Sequence, residues 1–360
     1  MLSAAIEGMF LNSELFDHQR GASNKGYKKI DMGTLVLSTQ NLHLGNANVN
    51  LRFEHGIVSP AYKTYHIHDC SIGLIAEWVK SEKAKRFFYD ATTVGASVCR
   101  RNVEWDTLYD QSLYLPSEAE QERLATFLTA LSTRIKKQTE LVEHLKKYKR
   151  GAIEAIFNRT ISFSANAEDS WNEFRLGEFA HRITRKNGQT SDIPLTISAQ
   201  YGLIDQREFF SKTVASSDMS GYYLLHKGEF AYNRSTSSEY PFGSIKRLDK
   251  YDKGAVSTLY LCFDANEEIM DSDFIMWYFE SSRWHNGVRE ICAEGARNHG
   301  LLNVPTAGFF DTVHYLPSNK AEQKRIADFL STIEERYIRA FSELEELNKL
   351  KKGLYQSLFI

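Results

Sequence analysis

Two long stretches of the chain repeat apolar residues at alternating spacings of four and three. This spacing keeps one stripe of a helix facing a partner helix over many turns. The positions of the first stripe are Leu131, Ile135, Gln138, Val142, Leu145, Lys149, Ala152 and Ile156. The positions of the second are Ile333, Tyr337, Ala340, Leu344, Leu347, Lys351, Leu354 and Leu358. The pattern therefore predicts two long helices, each with a coiled-coil seam that includes one lysine.

The two helical stretches are copies of each other. Residues 119–157 and 321–359 both open with Ala-Glu-Gln, close with Phe and follow Leu-Pro-Ser. In the first copy, Ser117 and Glu120 have the spacing of a capping box, whereas Ser318 and Glu322 are one residue too far apart. Matched lengths and matched lysines favour packing of the two seams against each other within one chain. The alternative is that each helix pairs with another molecule.

The remaining segments, 1–114 and 160–315, contain short β-like runs punctuated by glycine, followed by the helical stretches 71–91 and 271–291. They are also copies, because Gly33 matches Gly228 and Tyr62 matches Tyr260. We expect an α+β protein with two globules of mixed β-sheet and helices, each followed by a long helix, and the long helices forming an antiparallel intramolecular coiled coil. The expected boundaries are 1–114 for the first globule, 115–159 for its helix, 160–315 for the second globule and 316–360 for its helix.

Composition limits the class of protein. The chain has 360 residues, a formal net charge of −2 and a pI near 6.6, which argues against a lone, non-specific nucleic-acid binder. There is no apolar run long enough to cross a membrane and no signal peptide. The four cysteines, Cys70, Cys99, Cys262 and Cys292, are scattered, so neither a disulfide framework nor a zinc site is indicated. These features predict a cytoplasmic protein.

Known catalytic motifs are not found in the sequence. It has no phosphate-binding loop, no HExxH and no GxSxG, and it lacks the Asn-Pro-Pro-aromatic segment of adenine methyltransferases. His66 and His68 would share a face of a strand, but two histidines at this spacing are more often surface or packing residues than metal ligands. We therefore expect a non-catalytic protein without a metal.

At these residues the chain resembles the specificity subunit of type I restriction-modification systems. The resemblance lies in LPS-(x)-AEQ-[KE]-R-[LI]-A-x-F-L at the start of each long helix and K-x-G-x-x-x-x-[IL]-F at its end. It also lies in GYYLLHKGEFAYNRS (221–235) and YDKGAVSTLYLCF (251–263) of the second globule. Together these motifs cover nearly the whole chain.

The resemblance implies a role in a larger complex. Each globule would be a target recognition domain, and the pair would read a bipartite double-stranded DNA target with a fixed gap. The helices would space the domains and dock two modification (methyltransferase) subunits, and restriction (motor-nuclease) subunits would join them. S-adenosylmethionine, ATP and Mg would belong to these partners, which supply adenine methylation and cleavage, and this chain would hold no cofactor.

Base reading requires polar or basic side chains on projecting loops. The loop after the run at 228–233 is the first choice, and the residues past the Gly-Ala pair at 295–296 are the second. The candidate DNA-binding residues are Gln40, Asn41, Arg100 and Arg101 in the first globule and Tyr232, Asn233, Arg234, Ser235, Thr236, Tyr240, Arg297 and Asn298 in the second. The alternative for the 232–240 loop is a turn whose Asn and Ser side chains bind only their own backbone.

The two halves differ at their starts. The second opens with residues 171–195, which the resemblance places at the head of each recognition domain, and the first half has no counterpart. Met1 aligns near Pro194 to Ile197, so we expect the first domain to be N-terminally truncated, either through the choice of start codon or in the gene itself. Loss of this head segment would uncover a sheet edge or apolar surface of the first domain. A second hypothesis for function is therefore a truncated or silent copy that acts only as a partner-binding scaffold.

Overall fold

A computed structural model describes residues 1–16, 24–94, 101–163, 171–198, 201–209, 218–238, 240–292 and 300–359. The chain divides into two compact units. The first comprises Met1–Val142 and Ala340–Ile360, and the second comprises Glu143–Arg339. Each unit therefore includes one α+β globule together with a part of each long helix. No helix among the described residues has the length and apolarity that a bilayer crossing requires.

The first unit contains nine short strands and four short α-helices among its described residues. The strands are β1 (Leu2–Ala5), β2 (Gly8–Leu11), β3 (Lys28–Asp31), β4 (Leu35–Ser38), β5 (Ala47–Val49), β6 (His55–Val58), β7 (Tyr62–Tyr65), β8 (Thr92–Val94) and β9 (Arg101–Val103). The helices are α1 (Asn12–Leu15), α2 (Ile72–Trp78), α3 (Glu82–Asp90) and α4 (Trp105–Asp110). The first long helix is α5 (Glu118–Phe157).

All strand pairs of this unit are antiparallel. The central sheet has the order β5-β4-β7, and the other strands form three two-stranded pairs, β1-β2, β3-β6 and β8-β9. Helices α2 and α3 begin at Ser71 and Ser81, whose hydroxyls accept hydrogen bonds from the third backbone N–H of each helix. The core joins Leu42, Leu74 and Phe88 of the globule to Leu128 of α5 and Tyr355 near the C-terminus.

The second unit repeats this arrangement and adds elements before it. Its strands are β10 (Trp171–Arg175), β11 (Ala180–Ile183), β12 (Leu195–Ser198), β13 (Gly202–Asp205), β14 (Tyr223–His226), β15 (Phe230–Asn233), β16 (Ser244–Arg247), β17 (Lys253–Val256), β18 (Leu261–Ala265) and β19 (Val313–Pro317). Its helices are α6 (Leu176–Phe179), α7 (Gln206–Phe209), α8 (Ser272–Glu280), α9 (His285–Ile291) and α10 (Thr306–Phe310), followed by the second long helix, α11 (Lys320–Leu358).

The central sheet of the second unit has the order β11-β18-β15-β16, so β11 adds a strand beyond the three that the first unit has. The additional strand β10 pairs with β19. An aromatic core lies beneath this sheet, in which Phe230 stacks on Phe263 and Tyr232 stacks on Phe309. The same core includes Ile156 of α5 and Leu330 of α11.

The long helices run antiparallel within each unit. In the first unit the side-chain amide of Gln138 donates to the carbonyl oxygen of Ala340 at 2.8 Å, while Lys351 donates to the hydroxyl of Ser132 at 2.7 Å. The contact that lies nearer the N-terminus of α5 therefore lies nearer the C-terminus of α11, as antiparallel helices require. In the second unit Lys149 and Glu334 form an ion pair at 2.5 Å. The antiparallel pairing predicted from the two seams is confirmed, and every seam position is buried or half-buried.

The seam lysines obtain their counter-charges differently. Lys149 faces Glu334 on the partner helix, and the residue that matches Glu334 in the other copy is Ser132. In the first unit a carboxylate comes instead from Glu77 of α2, which lies 3.5 Å from the ammonium of Lys351. Glu77 also accepts hydrogen bonds from Ser132 and from Tyr355. This network ties the seam to the globule.

The two long helices begin at equivalent positions of the two copies. In α5 the carbonyl oxygen of Ser117 accepts the N–H of Gln121, so Ser117 occupies the cap. In α11 this role belongs to Asn319, whose side-chain oxygen accepts the N–H of Ala321 and whose carbonyl accepts that of Gln323. The extra residue in the second copy moves the cap from Ser318 to Asn319.

Candidate nucleic-acid interface

The loop after β15 is built by local turns. The side-chain oxygen of Asn233 accepts the N–H of Ser235 at 3.0 Å, and the hydroxyl of Ser237 accepts the N–H of Tyr240 at 3.2 Å. These side chains hold their own backbone, as the alternative interpretation of the sequence predicted. Ser235 and Ser237 remain exposed, and Thr236 and Tyr240 are half-buried. The loop therefore presents small polar groups on a fixed backbone.

Tyr232 belongs to the core and not to the surface of this loop. Its side chain is 0% exposed, and its hydroxyl donates to the carbonyl oxygen of Phe242 at 2.8 Å. Burial raises the pKa of Tyr232 above its ordinary value, so the phenol is neutral. The side chain cannot reach DNA from this position, and we remove it from the candidate base-reading residues.

Arg234 fixes the loop to its neighbours. Its guanidinium donates to the carbonyl oxygen of Leu259 at 2.8 Å and to that of Val304 at 3.5 Å. Both acceptors are main-chain atoms of other segments of the same unit. This places Arg234 as a residue that positions the loop, and direct reading of a base would require it to leave these bonds.

The structure pairs the loop after β15 with residues 300–302. The N–H of Thr236 donates to the carbonyl oxygen of Gly300 at 2.7 Å, and the N–H of Leu302 donates to that of Arg234 at 3.0 Å. Ser235 and Leu301 form an isolated β-bridge. Arg297 and Asn298, the other candidates, lie outside the described residues. Residues 300–302, which come after them in the sequence, pair with residues 234–236.

The first unit places its candidates in a comparable neighbourhood. Gln40 and Asn41 are exposed in the turn between β4 and β5. Arg101 begins β9, donates to the hydroxyl and carbonyl oxygens of Thr92, and lies 4.0 Å from the ring centroid of Tyr89. The pKa of His43, in the same turn as Asn41, is lowered by burial and by the positive charge of Arg101. The turn and the β8-β9 pair are therefore close, while Arg100 lies outside the described residues.

One basic residue beside the loop after β15 is absent from the candidates that the sequence predicts. Arg289 of α9 is exposed, and its guanidinium lies 5.3 Å from the ring centroid of Phe242, which follows the loop. Phe242 also contacts the ring of His285. Nothing in the sequence next to Arg289 marks it, because its position depends on how α9 packs on the strand end. An exposed guanidinium here suits contact with a phosphate group.

The histidines at 66 and 68 follow β7, and their ring centroids are 6.2 Å apart. Within the described ranges, no group of three or more His, Cys, Asp or Glu side chains is arranged to hold a metal ion.

The comparisons with known proteins agree with this architecture. No protein-family model and no curated protein matches the sequence. The S subunit of a type I restriction-modification system from M. genitalium matches with a TM-score of 0.60 at 12% identity, covering 94% of this chain and 87% of that one. A chain solved to explain complex assembly and conformational transition of the type I R-M system matches with a TM-score of 0.50 at 14% identity, covering 94% and 84%. The chain therefore has the fold of type I specificity subunits, and the predicted α+β fold class is confirmed.

Proposed function

We propose that the chain is the DNA sequence-recognition and scaffold subunit of a type I restriction-modification complex. The observation that carries the proposal is the pairing of the 234–236 turn with residues 300–302, which fixes the backbone of the turn. The turn thereby presents the exposed polar side chains of Ser235 and Ser237 on a fixed backbone, as direct readout of base edges requires. In the first unit the corresponding candidates are Gln40 and Asn41 of the turn between β4 and β5, and Arg101 of β9.

We propose a bipartite target because each of the two units carries candidate DNA-binding residues. Each compact unit would read one short segment of double-stranded DNA, and the two long helices would set the unspecified gap. Two modification subunits would dock on the helices and restriction subunits would join them. S-adenosylmethionine, ATP and Mg would be held by those partners. This chain would itself catalyse no reaction, and the complex would act in the cytoplasm.

The test is co-expression with the neighbouring methyltransferase subunit, followed by long-read mapping of methylated adenine. We expect methylation at one motif with two specified parts and a constant gap. A complex that forms but methylates no site would favour the alternative of a partner-binding scaffold. A methyltransferase subunit that does not co-purify with the chain would contradict both.

A further inference from the structure

The turn between β17 and β18, residues 257–260, carries an exposed leucine beside the loop after β15. Leu259 is 60% exposed. Its N–H donates to the hydroxyl of Ser257 at 3.3 Å, and the N–H of Tyr260 donates to the carbonyl oxygen of Ser257 at 3.1 Å. The guanidinium of Arg234, the residue that follows β15, donates to the carbonyl oxygen of Leu259 at 2.8 Å. The backbone of the turn is therefore fixed, with the leucine side chain in solvent.

The first unit contains the same turn between β6 and β7. The N–H of Ala61 donates to the hydroxyl of Ser59 at 3.3 Å, and the N–H of Tyr62 donates to the carbonyl oxygen of Ser59 at 3.1 Å. Thr39, the residue that follows β4, donates to the carbonyl oxygen of Ala61 at 2.8 Å, as Arg234 does to the turn of the second unit. The exposed position that holds leucine in the second unit therefore holds Ala61 here.

The two copies separate the framework of the turn from the side chain at its tip. Because the hydrogen bonds are the same in both units, the turn does not require a leucine in order to form. An apolar side chain stabilises a structure when it is removed from water, and Leu259 remains largely in water. Two units that read different DNA segments should share a framework and differ in the side chains that contact bases. Leu259 and Ala61 differ in this way.

The turn is tied to the polar loop that the proposed function assigns to DNA. Arg234 bonds to the turn through its guanidinium, and its carbonyl oxygen accepts the N–H of Leu302. Ser235 is exposed, and Leu301, which forms a β-bridge with Ser235, is exposed as well. Three segments joined at one arginine therefore carry both polar and apolar exposed side chains.

Duplex DNA presents few apolar groups to such a surface. In the major groove the base edges offer hydrogen-bond donors and acceptors, and thymine adds its C5-methyl group. A leucine makes no hydrogen bond with a base edge or a phosphate. Contact with a methyl group, however, removes apolar area of both partners from water, which is favourable. A leucine on a base-reading surface therefore selects thymine.

We propose that Leu259 is a specificity-determining residue that contacts the C5-methyl group of a thymine in the DNA segment read by the second unit. The proposal rests on the proposed function, because it assigns a base to one position of the same interface. Ala61 has a shorter side chain, so this contact is weaker in the DNA segment read by the first unit.

The test uses the complex of the chain with the methyltransferase subunit and labelled duplexes that contain the mapped motif. Each thymine of the two specified parts is replaced in turn by uracil, which pairs with adenine but lacks the methyl group, and fluorescence anisotropy gives the dissociation constant. For the wild type, one replacement in one part of the motif should weaken binding about fourfold, the equivalent of one buried methyl group. Leu259→Ala should weaken binding to the thymine duplex by a similar factor and abolish the effect of that replacement.

Val313→Ala, at an exposed position of β19, is the matched control and should retain both the affinity and the effect of uracil. Leu259→Ala should unfold at the same temperature as the wild type, because the first unit has alanine in the same turn. Thymines in the other part of the motif should show no coupling to Leu259.

Three results would overturn the proposal and leave the proposed function intact. The first is that no uracil replacement weakens binding. The second is that Leu259→Ala weakens binding to thymine and uracil duplexes equally, which would assign the leucine to another part of the DNA. The third is that Leu259→Ala reduces co-purification of the methyltransferase subunit, which would assign the leucine to that protein. A complex that neither methylates nor binds a specific motif would contradict the proposed function and this proposal together.

Discussion

Gln121 and Gln323 make the same two hydrogen bonds in the two units. The side-chain oxygen of Gln121 accepts the N–H of Ser71 at 2.9 Å while its amide donates to the carbonyl oxygen of Pro116 at 2.9 Å. Gln323 joins Asp271 and Pro317 in the same way, with both distances 2.8 Å. Each glutamine therefore links the cap of a globule helix to the start of a long helix.

Replacing Gln323 by alanine should lower the free energy of unfolding by about 3 kcal/mol, because a buried N–H and a buried carbonyl oxygen lose their partners. Gln323 is 0% exposed. Urea unfolding followed by circular dichroism measures the change, and Gln356→Ala, at an exposed position of the same helix, is the control. A loss under about 0.5 kcal/mol would show that water replaces the amide without cost.

The Glu77 network gives a second prediction about stability. Glu77→Ala removes the acceptor that Tyr355 and Ser132 share and leaves Lys351 without its nearby carboxylate. Removing one member of a fully buried ion pair costs about 3–5 kcal/mol, and removing both members recovers part of the loss. Glu77 and Lys351 are half-buried, so the loss here should be smaller. We therefore expect Glu77→Ala to destabilise the chain more than the double variant with Lys351→Met.

The control for this series is Glu82→Ala, because the ion pair of Glu82 with Lys85 is exposed and contributes little. Thermal unfolding of the wild type, Glu77→Ala, the double variant and Glu82→Ala measures these differences in stability. If the double variant were less stable than Glu77→Ala alone, the lysine would be stabilised by contacts other than Glu77.

His314 should make stability depend on pH. It lies between Tyr278 and Thr312, each 2.8 Å from a ring nitrogen. The hydroxyl of Thr312 already donates to Phe309, so it accepts from Nε2–H, and Nδ1 accepts from Tyr278. Burial lowers the pKa of His314 to about 4.

An unfolded histidine takes up a proton near pH 6.5, and the folded one does so only near pH 4. The unfolded state therefore binds more protons in this window, and stability should fall as the pH falls from about 6.5 to 4, by about 3 kcal/mol from this residue. His314→Gln should remove this loss of stability between pH 6.5 and 4. His226→Gln, at an exposed site, should leave the loss unchanged. Parallel pH profiles for wild type and His314→Gln would contradict the assignment.

The sequence predicts that both Arg234 and Arg297 read bases, but the contacts of Arg234 lead us to expect different effects when each is replaced by alanine. Arg234 is bonded to Leu259 and Val304, so Arg234→Ala should destabilise the loop and lower methylation of the wild-type motif without creating a new motif. Arg297 is predicted to read a base, so Arg297→Ala should relax the motif at one position, at a cost of about 1–3 kcal/mol in discrimination.

Adenine mapping of the two variants beside Arg289→Ala distinguishes these roles. Arg289 is expected to contact phosphate, so its loss should weaken binding equally on all sequences. A changed motif for Arg234→Ala would instead restore it as a base-reading residue.

Periodic features were predictable from the sequence, and contacts over long separations were not. The two seams follow from spacing alone, and the shift of the cap to Asn319 follows from one extra residue. The burial of Tyr232 was missed although the β-like run at 228–233 includes it, because three consecutive residues of β15 are buried and no alternation marks an inner face. The bond of Arg234 to Leu259 depends on how distant turns pack, and no local pattern encodes it.

The central claim is that the chain reads two DNA segments whose separation the helices determine. One heptad inserted after Val142 and one after Arg339, with both seams kept in phase, would lengthen each helix by about 10.5 Å, or about three base pairs of DNA. Mapping of methylated adenine should then show both halves of the motif unchanged and a wider gap between them. An unchanged gap in a complex that still methylates would contradict the account.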